Sequence, residues 1–200
     1  EQGNRVDTSV SLDRIVIEDG RAVGIEVVPR GEEPRFEEFD ATIATVPSFI
    51  FPRLVPPMPE EDLSKLTSVN YMAAVLIILV LDRPLSSIYW LNVADRSIPF
   101  VGVIEHTNLV GPEHYGGKHI VYLSNYLNTS HPLYKLDHQE LLQEYLPHLR
   151  KINPEFDPSW IETSYHHRID GAQPIIGTNY SSRIPDHRTP FKGLYLANTT

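Results

Sequence analysis

Leu12-Asp13-Arg14-Ile15-Val16-Ile17-Glu18-Asp19-Gly20-Arg21-Ala22-Val23-Gly24-Ile25-Glu26-Val27 decides the fold of the first part of this chain. β-Branched residues crowd both halves, and Asp19-Gly20 divides them. An Asp-Gly step between apolar runs signals a tight hairpin, because both central turn residues need positive φ. Strands are therefore expected over Val10–Ile17 and Ala22–Val28. A polar turn over residues 31–34 follows. Phe36 to Val46 then alternates into Ala41-Thr42-Ile43-Ala44-Thr45-Val46, and Pro47 ends the run, since proline cannot donate to a ladder. These three runs predict a β-meander over residues 5–46.

Beyond the meander the pattern changes. Residues 47–57 hold four prolines and read as a helical turn and linker. Residues 59–66 predict a short helix, with Pro59 and the carboxylates of residues 60–62 at its start, where the dipole favours negative charge. Residues 71–81 form the longest apolar run. A membrane-spanning helix needs about 20 residues, so no membrane span is expected, and the Val and Ile content predicts a central strand. Residues 88–92, 100–104 and 119–124 are further strand candidates, the last entered through Gly116-Gly117. Residues 137–151 predict the clearest helix: Leu141, Leu142, Tyr145, Leu146 and Leu149 share one face, and Asp137 with Glu140 resembles a capping box. Pro147 should kink or tighten its last turns. Residues 160–169 suggest one more strand, the stretch to Pro190 a loop, and residues 193–197 a buried strand. The fold class is α+β: a mixed β-sheet with packed helices, beside a separate group of strands.

Composition narrows the function. Hydrophobic residues make up 41% and charged residues 22%, which is globular and not disordered. Lys and Arg number 17 against 26 Asp and Glu, a net charge of −9. That balance argues against nucleic acid or anionic lipid as partners. The chain has no cysteine, which removes disulfides, thiolate zinc sites and a cysteine nucleophile. It is compatible with a cytoplasmic location, and that is the expectation. Residue 1 is Glu, no signal-peptide pattern opens the sequence, and an apolar strand ends three residues before the last, so we expect an excised piece of a longer polypeptide.

Motifs are sparse. No Gly-x-Gly-x-x-Gly, P-loop or Gly-x-Ser-x-Gly occurs, so nothing in the sequence marks a dinucleotide turn or a hydrolase elbow. There are nine histidines. His166 and His167 are adjacent, and on a strand they point to opposite faces. His114 and His119 are separated by a glycine turn, and Glu105-His106 is the remaining carboxylate–imidazole pair. None has metal-site spacing, and no metal is expected. Tyr89, Trp90, Tyr122, Tyr126 and Tyr165 fall on or beside strand candidates. They are either half-buried sheet residues or an apolar wall for a planar ligand.

Two segments carry a resemblance. Residues 12–27, continuing through Phe39-Asp40-Ala41-Thr42-Ile43-Ala44-Thr45-Val46-Pro47, form the first; Thr189-Pro190-Phe191-Lys192-Gly193-Leu194-Tyr195-Leu196-Ala197-Asn198 forms the second. Together they resemble the FAD-dependent amine oxidase superfamily, which includes protoporphyrinogen oxidases and phytoene desaturases. The resemblance implies that residues 1–57 and 185–200 are part of an FAD-binding domain and residues 58–184 a substrate-binding domain. The family's Gly-rich Rossmann turn would lie before this segment, so these residues alone should hold FAD weakly or not at all. By the same resemblance the Leu12 backbone would contact adenine, and Val46 and Pro47 would lie near the cofactor. Asn198 opens the segment where relatives carry an acidic residue for the ribityl or pyrophosphate. Tyr89, Trp90, Tyr122, Arg168 and Gln173 are the substrate-facing candidates, for a small organic molecule. No acid or base is assigned, because hydride transfer to a flavin can proceed by positioning. The alternative is a self-contained, non-catalytic ligand-binding or interaction module. Neither substrate identity nor oligomeric state follows from the sequence.

Overall fold

In the computed structural model, which describes residues 3–200, Asp19 and Gly20 both adopt positive φ, 48° and 75°. This is the mirror-image turn that matches strand twist, and it joins β1 (Val10–Glu18) to β2 (Arg21–Pro29). The described residues hold ten strands and three α-helices, numbered in chain order. They fall into two compact units, one running to Asn70 and resuming at Pro174–Thr200, the other Tyr71–Gln173. Residues 58–70 and 174–184, assigned above with the middle segment, therefore group with the first unit.

In the first unit β1, β2 and β3 (Arg35–Glu38) form an antiparallel sheet in that order. Ile15 pairs Ile25, and a register shift lies between Leu12 and Arg14. Gly24 on β2 is required by close approach: a Cβ there would lie 2.3 Å from the Glu37 carbonyl oxygen. The meander ends sooner than the sequence suggests. β4 (Thr42–Ala44) leaves it and pairs in parallel with β10 (Leu194–Leu196). The break is at Phe39–Asp40. Phe39 N still donates to the Val23 carbonyl, whereas Thr42 N donates to that of Gly193. Gly193 has φ 75°, with the Asp40 carbonyl 3.3 Å from where a Cβ would stand. A 3₁₀ turn at Phe51–Arg53 and helix α1 (Glu60–Thr67) cover this pair. Ile15, Phe51, Leu54, Leu66, Leu194 and Leu196 form the core of the unit.

The second unit is a five-stranded sheet in the order β6-β7-β8-β5-β9. Its strands are β5 (Tyr71–Leu81), β6 (Trp90–Asn92), β7 (Gly102–Glu105), β8 (His119–Leu127) and β9 (Ile161–Pro174). β5 alternates: Val75, Ile77, Leu79 and Leu81 are fully buried, their neighbours partly so. Each such side chain contributes about 1.5–3 kcal/mol. The buried face meets α2 (Pro132–Lys135) through Tyr134, α3 (His138–Tyr145) through Leu141 and Tyr145, and the turn after α3 through Leu149. Asp137 and Glu140 cap α3 reciprocally, as expected. The predicted long helix instead tightens to a 3₁₀ run over Leu146–Lys151, because Pro147 cannot donate within an α-helix. β9 runs farther than expected, to Pro174.

Strands and helices segregate rather than alternate, which is the α+β class. No described helix is long and apolar enough to cross a membrane.

Candidate functional site

Each unit carries one feature that chemistry could use. In the first it lies at the carboxyl ends of β4 and β10. Such ends are where open parallel sheets bind ligands. Ala197 N donates to the Ala44 carbonyl at 2.9 Å, carrying the pairing one residue past β10. The chain then turns, and Asn198 Nδ2 donates to the Val46 carbonyl at 2.9 Å and to Ser48 Oγ at 3.1 Å. Ser48 and Thr200 hydroxyls are 2.8 Å apart, and Thr200 N donates to Asn198 Oδ1 at 3.1 Å. Ser48 is fully buried. Pro47 closes the turn, its carbonyl accepting from Ile50 N at 2.9 Å.

Val46, Pro47 and Asn198 are thus brought together. Leu12 is not tied to them by any hydrogen bond among the described residues; it stands on β1 opposite Val27, 37% exposed. Ser48 and Thr200 belong to no sequence motif; their one signal is position, each four residues past the end of a strand. The cluster is neutral, with one amide and two hydroxyls, so it suits hydroxyl or carbonyl partners better than a charged group.

In the second unit the sheet face away from the helices is aromatic. Trp90 pairs Ile104, and Ile104 pairs Tyr122, which pairs Ile78. Directly opposed residues share a face, so these four form one row across four strands. Trp90 is 55% exposed. Tyr89 packs edge-on against it at 6.3 Å, and Trp90 Nε1 donates to Asn92 Oδ1 at 2.9 Å. His106 joins the row: its ring lies 6.1 Å from that of Tyr122, and its Nε2 hydrogen-bonds the Tyr115 hydroxyl at 2.7 Å.

Glu105 and His106 do not act as a pair. The Glu105 carboxylate is fully buried and accepts from Leu85 N at 3.0 Å, Ser86 N at 2.6 Å and Ser86 Oγ at 3.1 Å. Asn108 Nδ2 holds the Ser86 and Ile88 carbonyls at 3.1 and 3.2 Å. Glu105 N donates to the Tyr89 carbonyl at 2.9 Å. This clamp fixes the loop that presents Tyr89 and Trp90.

Arg168 stands on the other face. Its guanidinium donates to the Tyr134 carbonyl at 3.1 Å and lies 5.9 Å from the Tyr134 ring centre, on the helix side. Burial, with the hydrogen bond to Asp170, pushes the Tyr134 hydroxyl up to about 12. Gln173 is exposed near the end of β9. His166 is half-buried against the His138 ring at 6.1 Å while His167 is exposed. Burial, then Arg168, His138 and His167, lower the His166 pKa. Among the described residues no three His, Cys, Asp or Glu side chains are placed to hold a metal ion.

Residues 1–200 match the family model of flavin containing amine oxidoreductases, and the chain belongs to that family. It is similar in fold to an oxidoreductase from Methanosarcina mazei, with TM-score 0.66 and 21% identity over 95% of this chain and 43% of that one. It is similar also to a reduced UDP-galactopyranose mutase, with TM-score 0.61 and 17% identity over 90% and 38%. A putrescine oxidase bound to putrescine gives TM-score 0.62 and 15% identity over 94% and 42%. The chain thus spans about two fifths of the length of these proteins. No curated protein matches it.

Proposed function

We propose that this chain is part of an FAD-dependent oxidoreductase acting on a small organic substrate. In this reading the first unit contributes to the flavin site and the second supplies the substrate-binding surface. The observation that carries it is the neutral Ser48–Asn198–Thr200 cluster at the carboxyl ends of a parallel pair. In it the part-exposed Asn198 and Thr200 side chains would meet the polyol chain of a flavin nucleotide, with the buried Ser48 hydroxyl fixing them from behind. No cation stands among them to neutralise a pyrophosphate, so that contact falls to other residues, and these 200 residues alone bind FAD weakly or not at all.

Bound flavin would supply the two-electron acceptor. Trp90, Ile104, Tyr122 and Ile78 offer an apolar row that orients a flat or hydrocarbon substrate and sheds water from it. The His106 imidazole, held by Tyr115, stands beside that row.

The test uses the full-length gene product. Asn198→Leu should weaken FAD binding about tenfold, the worth of one to two hydrogen bonds, with the fold unchanged by circular dichroism. Unchanged FAD affinity would remove the cluster from the cofactor site. Tight stoichiometric flavin binding by residues 1–200 alone would contradict the stated division of labour.

A further inference from the structure

We propose that a cleft in the first unit binds the carboxylate end of a short aliphatic ligand. The cleft is about 160 Å³, ample for a carboxylate and its nearest methylenes. Val69 and Ile175 give it apolar walls, and Asn70, Tyr180 and Arg183 give it polar ones.

The cleft offers donors that are not fully used. The Tyr180 hydroxyl is buried and has no hydrogen-bond partner among the described residues. A buried hydroxyl left unpaired costs free energy that a ligand can recover. The Arg183 guanidinium lies 5.9 Å from the Tyr180 ring centre and spends one Nη2 bond, at 3.2 Å, on the Thr178 carbonyl. None of the lining residues is acidic, in a chain whose net charge is −9. A planar fork with free donors beside a buried phenol matches the two oxygens of a carboxylate.

The walls are held in place. Ile175 N donates to the Asn70 carbonyl at 2.8 Å, tying the two strands of chain that form the neck. At Gly177 an added Cβ would come within 3.0 Å of Arg183 Nη2, so the bare backbone leaves the guanidinium its seat. Ser68, the C-terminal cap of α1, also borders the cleft and brings the negative end of that helix. That field is weak at an exposed end, and the full charge on Arg183 outweighs it. This inference is independent of the flavin reading.

The test is an NMR titration of the full chain with propionate, following the Gly177 and Thr178 amides. Inorganic phosphate and chloride at matched ionic strength are run in parallel. Saturable shifts with propionate are expected. Tyr180→Phe, which removes only one oxygen, should weaken binding roughly fivefold to tenfold. Arg183→Gln should weaken it by about tenfold or more. Shifts that never saturate, or an unchanged propionate affinity in Tyr180→Phe, would overturn the site. Tighter binding of phosphate than of propionate would overturn its assignment to a carboxylate.

Discussion

Asn198 and Val46 are 152 positions apart, and the Asn198 side-chain amide donates to the Val46 carbonyl at 2.9 Å. The bond fastens the ends of two parallel strands just where their own ladder stops. Asn198→Ala removes it together with the contacts to Ser48 and Thr200. We expect a loss of about 1–3 kcal/mol in urea unfolding. Asn198→Asp should cost at least as much, because a carboxylate would then face the Val46 carbonyl. Equal stability of Asn198→Ala and the parent would show that the bond contributes nothing.

Glu105→Gln tests the clamp on the aromatic corner. An amide retains one oxygen, but its NH₂ must oppose a donor at Leu85 or Ser86. The expected cost is about 2–3 kcal/mol, with faster hydrogen exchange at Ser86 N. Trp90 emission should move as the loop loosens, measured with Trp160 replaced by Phe in both proteins. An unmoved spectrum would separate the clamp from the aromatic pair.

Trp90 and Arg168 lie on opposite faces of one sheet, so their substitutions should have different effects. Trp90→Ala should raise KM about tenfold in the full-length protein and leave stability nearly unchanged, since the ring is 55% exposed. Arg168→Ala should instead cost about 1–2 kcal/mol, through its hydrogen bond and ring contact with Tyr134, with KM unaltered. The reverse pattern would exchange their roles.

His166 makes stability depend on pH. Its pKa in the folded chain is lowered, first by burial and then by Arg168, His138 and His167. The unfolded chain therefore takes up the proton first as pH falls below about 6.5. Stability from this group is complete above that pH and is lost as pH drops through the lowered folded value. His166→Gln should flatten that part of the stability curve relative to the parent. Parallel curves for the two proteins would show that the group does not contribute.

Gly24→Ala should weaken the meander. The new methyl group would sit 2.3 Å from the Glu37 carbonyl oxygen and 2.6 Å from the Phe36 ring. Overpacking of this kind costs about 1–3 kcal/mol, and amide exchange should show β3 opening before β1 and β2. Uniform protection across the three strands would contradict this.

Local rules are legible in the residues themselves. Asp19-Gly20 specifies its turn because few residues tolerate paired positive φ; Asp137 and Glu140 cap α3 because their spacing fits one helical turn; β5 shows its length by its apolar run. These depend on neighbours within a few positions. The resemblance groups the two ends of the chain in one domain, but the exact pairing across that distance is not written in local residues. The departure of β4 from the meander to join β10 depends on a strand about 150 positions away, and so does the Ser48–Asn198–Thr200 cluster. The split of Arg168 from Trp90 and Tyr122 rests on which face of the sheet the helices cover. The removal of Glu105 from any pairing with His106 rests on the alternation of β7 against a loop packed behind it. Only the folded chain decides these, because burial and hydrogen bonding are settled between segments that sequence keeps far apart.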